Sequence, residues 1–186
     1  MNVLETLDFL RNRARRLQAE WKGDASMPAP SSQSEALVAA ADVLERLRVG
    51  YMLIGGVAVA LHSGLARDTI DVDFAVRSDA DRSEITRALV AAGFRHKRAH
   101  AHTVNLIHPS GEPVQLAFDA SFDLPISRAT TFTSHGRTVR IATKEDLIEL
   151  KRRAASDPRR RRSKALQDQA DVELLRGDVP GPDEGW

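Results

Sequence analysis

Residues 51–76 read YMLIGGVAVALHSGLARDTIDVDFAV, and three patterns inside this stretch set the fold. Tyr51-Met52-Leu53-Ile54 is a short, continuously apolar run, which predicts a central strand buried on both faces. It ends in Gly55-Gly56, after which Val57 to His62 reads as a helix stopped by Ser63-Gly64. Thr69 to Val76 alternates, with Ile70, Val72, Phe74 and Val76 on one face and Thr69, Asp71, Asp73 and Ala75 on the other. A strand that runs into Gly-Gly and then a helix start leaves backbone N–H groups aimed at one spot. With no Cβ there, another group can come close. Asp71 and Asp73, two apart on a strand, share a face with Cα atoms about 6.5 Å apart. Like charges so placed repel unless water solvates them or a cation bridges them, and hard oxygen ligands with open positions suit Mg²⁺. Thr69 shares their face and Arg67 lies just before the strand.

Outward from this stretch, Ser34 can cap a helix from Glu35 to about Arg48, with Leu37, Val38, Ala41, Leu44 and Leu47 on its buried stripe. Upstream, Leu4, Leu7, Leu10, Ala14 and Leu17 predict an amphipathic helix over 3–20, whose other face carries Arg11, Arg13, Arg15 and Arg16. Between the two helices, 23–34 is rich in Pro, Ser, Ala and Gly and reads as a linker. The first helix is then an appendage that packs back on the domain or docks on a partner. Downstream, Asp79 to Ala92 reads as a helix with Ile85, Leu89 and Val90 buried. Strands are expected at 94–98, 103–108 and 113–118, the last two joined as a hairpin at Ser110-Gly111-Glu112, and an edge strand at 137–141. Thr143 caps a helix from Lys144 to about Ala155, and a final helix runs from about Arg160 to Leu175. The expected organisation is an N-terminal helix (1–22), a linker (23–34), an α/β (α+β) core (35–142) and a C-terminal helical part (143–186).

The chain has 186 residues, 27 Lys+Arg against 26 Asp+Glu, and no Cys. That composition suits one soluble domain with a real core. It excludes a disulfide scaffold, a Cys-ligated zinc or iron–sulfur site, and thiol catalysis. Near-neutrality argues against a generally basic nucleic-acid binder while leaving local patches open. The N-terminus lacks the basic region and apolar run of a signal peptide. The most apolar stretch, Met52 to Leu61, is far shorter than the roughly 20 residues a membrane span needs. The expectation is a cytoplasmic protein with no membrane partner.

Leu53-Ile54-Gly55-Gly56 followed by Arg67-Asp68-Thr69-Ile70-Asp71-Val72-Asp73-Phe74 resembles the signature of the nucleotidyltransferase-fold superfamily. Glu145-Asp146-Leu147-Ile148-Glu149-Leu150-Lys151 and Leu166-Gln167-Asp168-Gln169-Ala170-Asp171-Val172 resemble downstream motifs of its AbiEii-like group, many of them toxins of toxin–antitoxin systems. The resemblance spans about Leu37 to Leu175. It implies a mixed central sheet flanked by helices and transfer of a nucleoside monophosphate from an NTP to an acceptor, either RNA (tRNA-like) or protein. A small amino-hydroxyl compound is a further acceptor class. By the same resemblance, Gly55 and Gly56 cradle the phosphates and Asp71 and Asp73 hold Mg²⁺. Arg67, Thr69, Lys151 and Asp168 contact the nucleotide. A cognate antitoxin or a second copy of the chain is the implied protein partner.

The pattern is broken at one place. Where relatives carry a third carboxylate, in the strand Val114-Gln115-Leu116-Ala117-Phe118-Asp119, this chain has Gln115, a poor metal ligand that cannot act as a base. Asp119, four residues on, either takes the catalytic role or is a loop residue. A catalytically degenerate protein that binds nucleotide or a partner is therefore the alternative reading. Lys151 reads equally as a phosphate contact and as a surface lysine with its stem on the core. Asp168 and Asp171, on one helical face, orient Lys151, bind the ligand or are simply solvated. The basic run Arg159 to Lys164 tracks an RNA backbone, binds triphosphate or is a solvated loop. His100 and His102 have no acid at ligand spacing and read as exposed.

Overall fold

A computed structural model of the chain describes residues 2–22, 32–66, 69–134 and 136–178. Strand β1 (Tyr51–Ile54) occupies the middle of the molecule, and its first three residues are fully buried, as a continuously apolar run requires. The chain turns at Gly55 straight into helix α3 (Gly55–Ser63), then returns as β2 (Val72–Val76), antiparallel to β1 with Leu53 opposite Phe74 and Ile54 opposite Asp73. Strands β3 (Arg95–His100), β4 (Thr103–Ile107) and β5 (Pro113–Phe118) form an antiparallel meander, and β5 runs parallel to β2. On the other side, β7 (Arg137–Ile141) runs parallel to β1 and carries β6 (Thr130–Ser134) at the edge. The sheet is seven-stranded and mixed, in the order β3-β4-β5-β2-β1-β7-β6.

Helix α2 (Gln33–Arg46) packs on β2, β5 and β7, and α4 (Arg82–Ala91) packs on α2 and β3. The sheet residues that alternate inward on β4 and β5, Val104, Leu106, Val114, Leu116 and Phe118, are buried. The residues between them, Thr103, Asn105, Ile107, Gln115 and Ala117, are only half-buried. Helix α1 (Val3–Trp21) folds back on the domain: Leu4 and Leu7 enter the core, and Arg11 and Arg15 pair with Glu112, which is 0% exposed. Helices α6 (Lys144–Ser156) and α7 (Arg162–Arg176) pack on each other and on α3. The short α5 (Asp123–Arg128) follows a 3-10 turn at Ala120–Phe122.

Several sequence expectations are corrected. The strand expected from Thr69 begins only at Val72, and Ile70 is 54% exposed rather than inward. Its partners run out there: β1 turns away at Gly55, and β5 starts at Pro113, one residue before the partner of Val72. The cap of α2 is Ser32, not Ser34, whose hydroxyl instead donates to Asp8 of α1 at 2.6 Å. Residues 32–34 therefore start a helix; the rest of the expected linker, up to Ser31, lies outside the described residues. Helix α4 starts after Asp81, whose carboxylate accepts from the Ser83 and Glu84 amides. Val90, one step round from Leu89, is exposed. The strand at 137–141 is internal, because the unforeseen β6 takes the edge.

Candidate functional site

The turn at Gly55 and the start of β2 are built against each other. Gly55 has φ +72°, a left-handed conformation that side chains disfavour. A Cβ there would run into Asp73 Oδ2 and lie 3.0 Å from Asp73 Cβ and Cγ. The glycine therefore serves two ends: it turns the chain into α3, and it leaves room for the Asp73 carboxylate beside the helix N-terminus. Gly56, the next residue, is buried.

These groups open on a cavity of about 570 Å³. One wall carries Gly55, Gly56, Thr69, Asp71 and Asp73, and a second wall comes from α6 and α7 with Lys151, Lys164, Gln167 and Asp168, joined by Arg160 just before α7. Gln33 fixes the segment that leads into the first wall. Its side chain, on a residue 1% exposed, donates from Nε2 to the Thr69 carbonyl at 2.7 Å. The Asp8 carboxylate of α1 accepts from the Gln33 amide at 2.6 Å, so the anchor reaches back to the first helix.

The second wall is a buried ion network. Lys151 Nζ lies 2.9 Å from Asp168 Oδ1 and 2.7 Å from Asp171 Oδ2, and Arg160 Nη2 lies 2.7 Å from Asp168 Oδ2. Both acids are at most 2% exposed, and the Lys151 side chain is 13% exposed. Buried carboxylates need such partners, and here the partners are cations that reach the cavity. Lys151 is neither a surface lysine nor an isolated one: Asp168 and Asp171, on one face of α7, hold its ammonium in place.

Gly55, Gly56, Thr69, Asp71, Asp73, Lys151 and Asp168 thus meet around one cavity, although they come from four separate segments. Arg67 lies outside the described residues. Asp119 does not join them. It is exposed, it caps the 3-10 turn by accepting from the Ser121 amide at 2.9 Å, and hydrogen bonds from Ser121 hold its carboxyl below the usual carboxylate range. β5 ends at Phe118 and the chain turns there, which places Asp119 at the turn and not on the strand. Gln115 sits beside Asp73 in the ladder and lines the cavity, so the position expected for a third acid is occupied by an amide. Of the basic run, Arg160 and Lys164 line the cavity, whereas Arg159 pairs with Asp157 at the surface. Phe122, which also lines the cavity, carried no signal in the sequence, since its position depends on the turn after β5.

Among the described residues no three or more His, Asp or Glu side chains are grouped to hold a metal ion. Two carboxylates suffice for Mg²⁺, which completes its shell with substrate phosphate and water, so Asp71 and Asp73 are a fitting donor pair. No helix of the described residues is long and apolar enough to cross a membrane.

No family model matches the chain, and no curated protein matches it by sequence. Solved structures do resemble it in three dimensions. The lincosamide antibiotic adenylyltransferase LnuA, with lincomycin bound, aligns at a TM-score of 0.56 and 15% identity, covering 80% of this chain and 99% of its own. An antigenic nucleotidyltransferase-like protein from Paracoccidioides brasiliensis aligns at 0.55 and 24% identity, over 81% of this chain and 78% of its own. The Megavirus polyadenylate synthase aligns at 0.52 and 13% identity, over 97% of this chain and 38% of its own. The chain has the fold of the nucleotidyltransferases.

Proposed function

We propose that this chain is a Mg²⁺-dependent nucleotidyltransferase that moves a nucleoside monophosphate from an NTP to an RNA (tRNA-like) or protein acceptor. The observation that carries this reading is the Gly55–Asp73 contact, which sets a carboxylate beside a helix N-terminus inside a cavity that also holds Asp71. The N–H groups that open α3 suit the phosphates of the NTP, since a helix N-terminus favours negative charge. Asp71 and Asp73 would hold Mg²⁺, which supplies neutralisation of phosphate charge when bound. Lys151, paired with Asp168 and Asp171, adds a cation from the other wall. In the transfer, the acceptor hydroxyl oxygen bonds to the α-phosphorus, the bond from that phosphorus to the bridging oxygen breaks, and pyrophosphate leaves. Gln115 can orient the hydroxyl through a hydrogen bond but takes no proton, so the proton passes to water.

The Lys151–Asp168–Asp171 network supports the AbiEii-like reading, and with it a toxin held by a cognate antitoxin. Gln115 favours a second reading, a degenerate relative that binds nucleotide without turnover. Incubation with each α-labelled NTP, Mg²⁺ and either total tRNA or the protein alone separates them. Label transfer that disappears in Asp71→Ala and in Asp73→Ala is the expected result. NTP binding that survives Asp73→Ala, with no transfer to any acceptor, establishes the second reading.

A further inference from the structure

The sheet edge formed by β3 is cationic. Residues 93–111 contain no Asp or Glu and carry Arg95, Lys97 and Arg98 within the edge strand β3; residues 124–144 at the β6–β7 edge are also free of acids, and what sets β3 apart is its register. All six residues of β3 are exposed. Charges on an edge strand guard against strand-to-strand aggregation, and that role asks nothing about which face they occupy. Here the face is specified. Strict alternation would put Arg95 and Arg98 on opposite faces, but an irregularity in the ladder between His96 and Arg98 shifts the register. Arg95 then pairs with Ile107, Arg98 with Asn105 and His100 with Thr103, three positions on one face of β4.

That face is continuous with the candidate site. Asn105 pairs with Gln115, Gln115 with Asp73, and Thr103 with Ala117, so Arg98, Asn105, Gln115 and Asp73 form one cross-strand row. Both Gln115 and Ala117 line the cavity. From Asp73 to Arg98 the row spans three strand spacings, about 14 Å. Thr103, Asn105 and Ile107 between them are half-buried, on the face opposite the buried residues that meet α2 and α4. The turn at the end of this track is fixed: Arg82 donates to the carbonyls of His100 and Ala101 at 2.8 and 2.6 Å.

We propose that the β5–β4–β3 face is the acceptor platform of the proposed transferase and that its occupant is single-stranded RNA, whose phosphates lie on Arg98 and Arg95 while its end reaches the cavity. This rests on the nucleotidyl-transfer reading for what happens at that end, but the binding stands on charge and register alone. A polymer with a charge on each unit is what a cationic edge joined to a distant site by an uncharged polar row can hold. None of the residues that β3, β4 and β5 present on this face is Phe, Tyr or Trp, so base stacking along it contributes little, and binding depends on salt and tolerates sequence changes.

The test is fluorescence anisotropy with a labelled twelve-nucleotide single-stranded RNA across a salt series, without nucleotide or divalent cation. For Arg95→Gln/Arg98→Gln, the slope of log K against log salt falls by about 1.4, and affinity at 0.1 M salt drops roughly tenfold. Both side chains are exposed, so the variant folds, and circular dichroism verifies this. Arg46→Gln/Arg137→Gln removes equal charge elsewhere and leaves the slope unchanged. Equal losses in both variants, an unchanged slope in the first, or no binding of RNA by the unaltered protein each overturn the proposal; the last result directs attention to an acidic protein acceptor. RNA bound on β3 with no label transfer would instead sink the transferase reading alone, and transfer to RNA unaffected by the β3 substitutions would sink this one alone.

Discussion

Gly55 and Gly64 have nearly the same φ, +72° and +73°, yet of the two only Gly55 has a neighbour where its Cβ would be. The pair therefore separates two physical effects. Alanine at either position forces a left-handed conformation at a cost of about 1–2 kcal/mol. Alanine at Gly55 also displaces the Asp73 carboxylate. Urea denaturation is expected to show a loss of stability for both variants, the larger for Gly55→Ala, where Asp73 must also move. A titration of Mn²⁺ with ATP is expected to show metal-dependent affinity falling at least roughly tenfold, more than about 1.4 kcal/mol, in Gly55→Ala alone. Equal affinity in the two variants would separate Gly55 from the site. The sequence shows that a glycine stands here. That its missing methyl group makes room for Asp73 depends on the antiparallel register that sets Ile54 opposite Asp73.

At the scale of elements, α6 and α7 are joined by a lysine with two acids. Lys151→Met removes the cation shared by buried Asp168 and Asp171 while Arg160 stays on Asp168, and is expected to cost about 3–5 kcal/mol in chemical denaturation. Lys151→Met/Asp171→Leu, which removes a charge of each sign, recovers part of that loss; a double variant no better than the single would show that the pair does not act as a unit. The helices themselves are legible from sequence, since Thr143 caps α6 as expected and α7 (Arg162–Arg176) falls close to the helix expected from about Arg160 to Leu175. Their pairing was legible only as one of three roles for Asp168 and Asp171, because the contact spans two helices. Strand β6, TTFTS, escaped because its side chains do not alternate between core and solvent strongly enough to give a period, although its Thr and Phe content favours a strand.

For the whole molecule, α1 is part of the domain rather than a detachable arm. Its Leu4 and Leu7 lie in the common core, Asp8 holds the start of α2, and Arg11 and Arg15 neutralise Glu112 at the β4–β5 turn. Arg11→Gln/Arg15→Gln removes both arginines that pair with that buried carboxylate and is expected to cost about 3 kcal/mol or more. In a chain of this length that lowers Tm by about 6 °C or more, read by calorimetry. A shift under one degree would mean that water reaches Glu112. The local patterns of the sequence determined what local forces govern: the buried run of β1, the Gly-Gly turn, the alternation around Asp73, and the caps of α1's neighbours to within two residues. Only the tertiary structure decided which carboxylates share a cavity, that Gln115 rather than Asp119 stands beside Asp73, and that one ladder irregularity turns Arg95 and Arg98 toward the same face. Those outcomes depend on strand order and register, which are set by contacts between residues far apart in the chain.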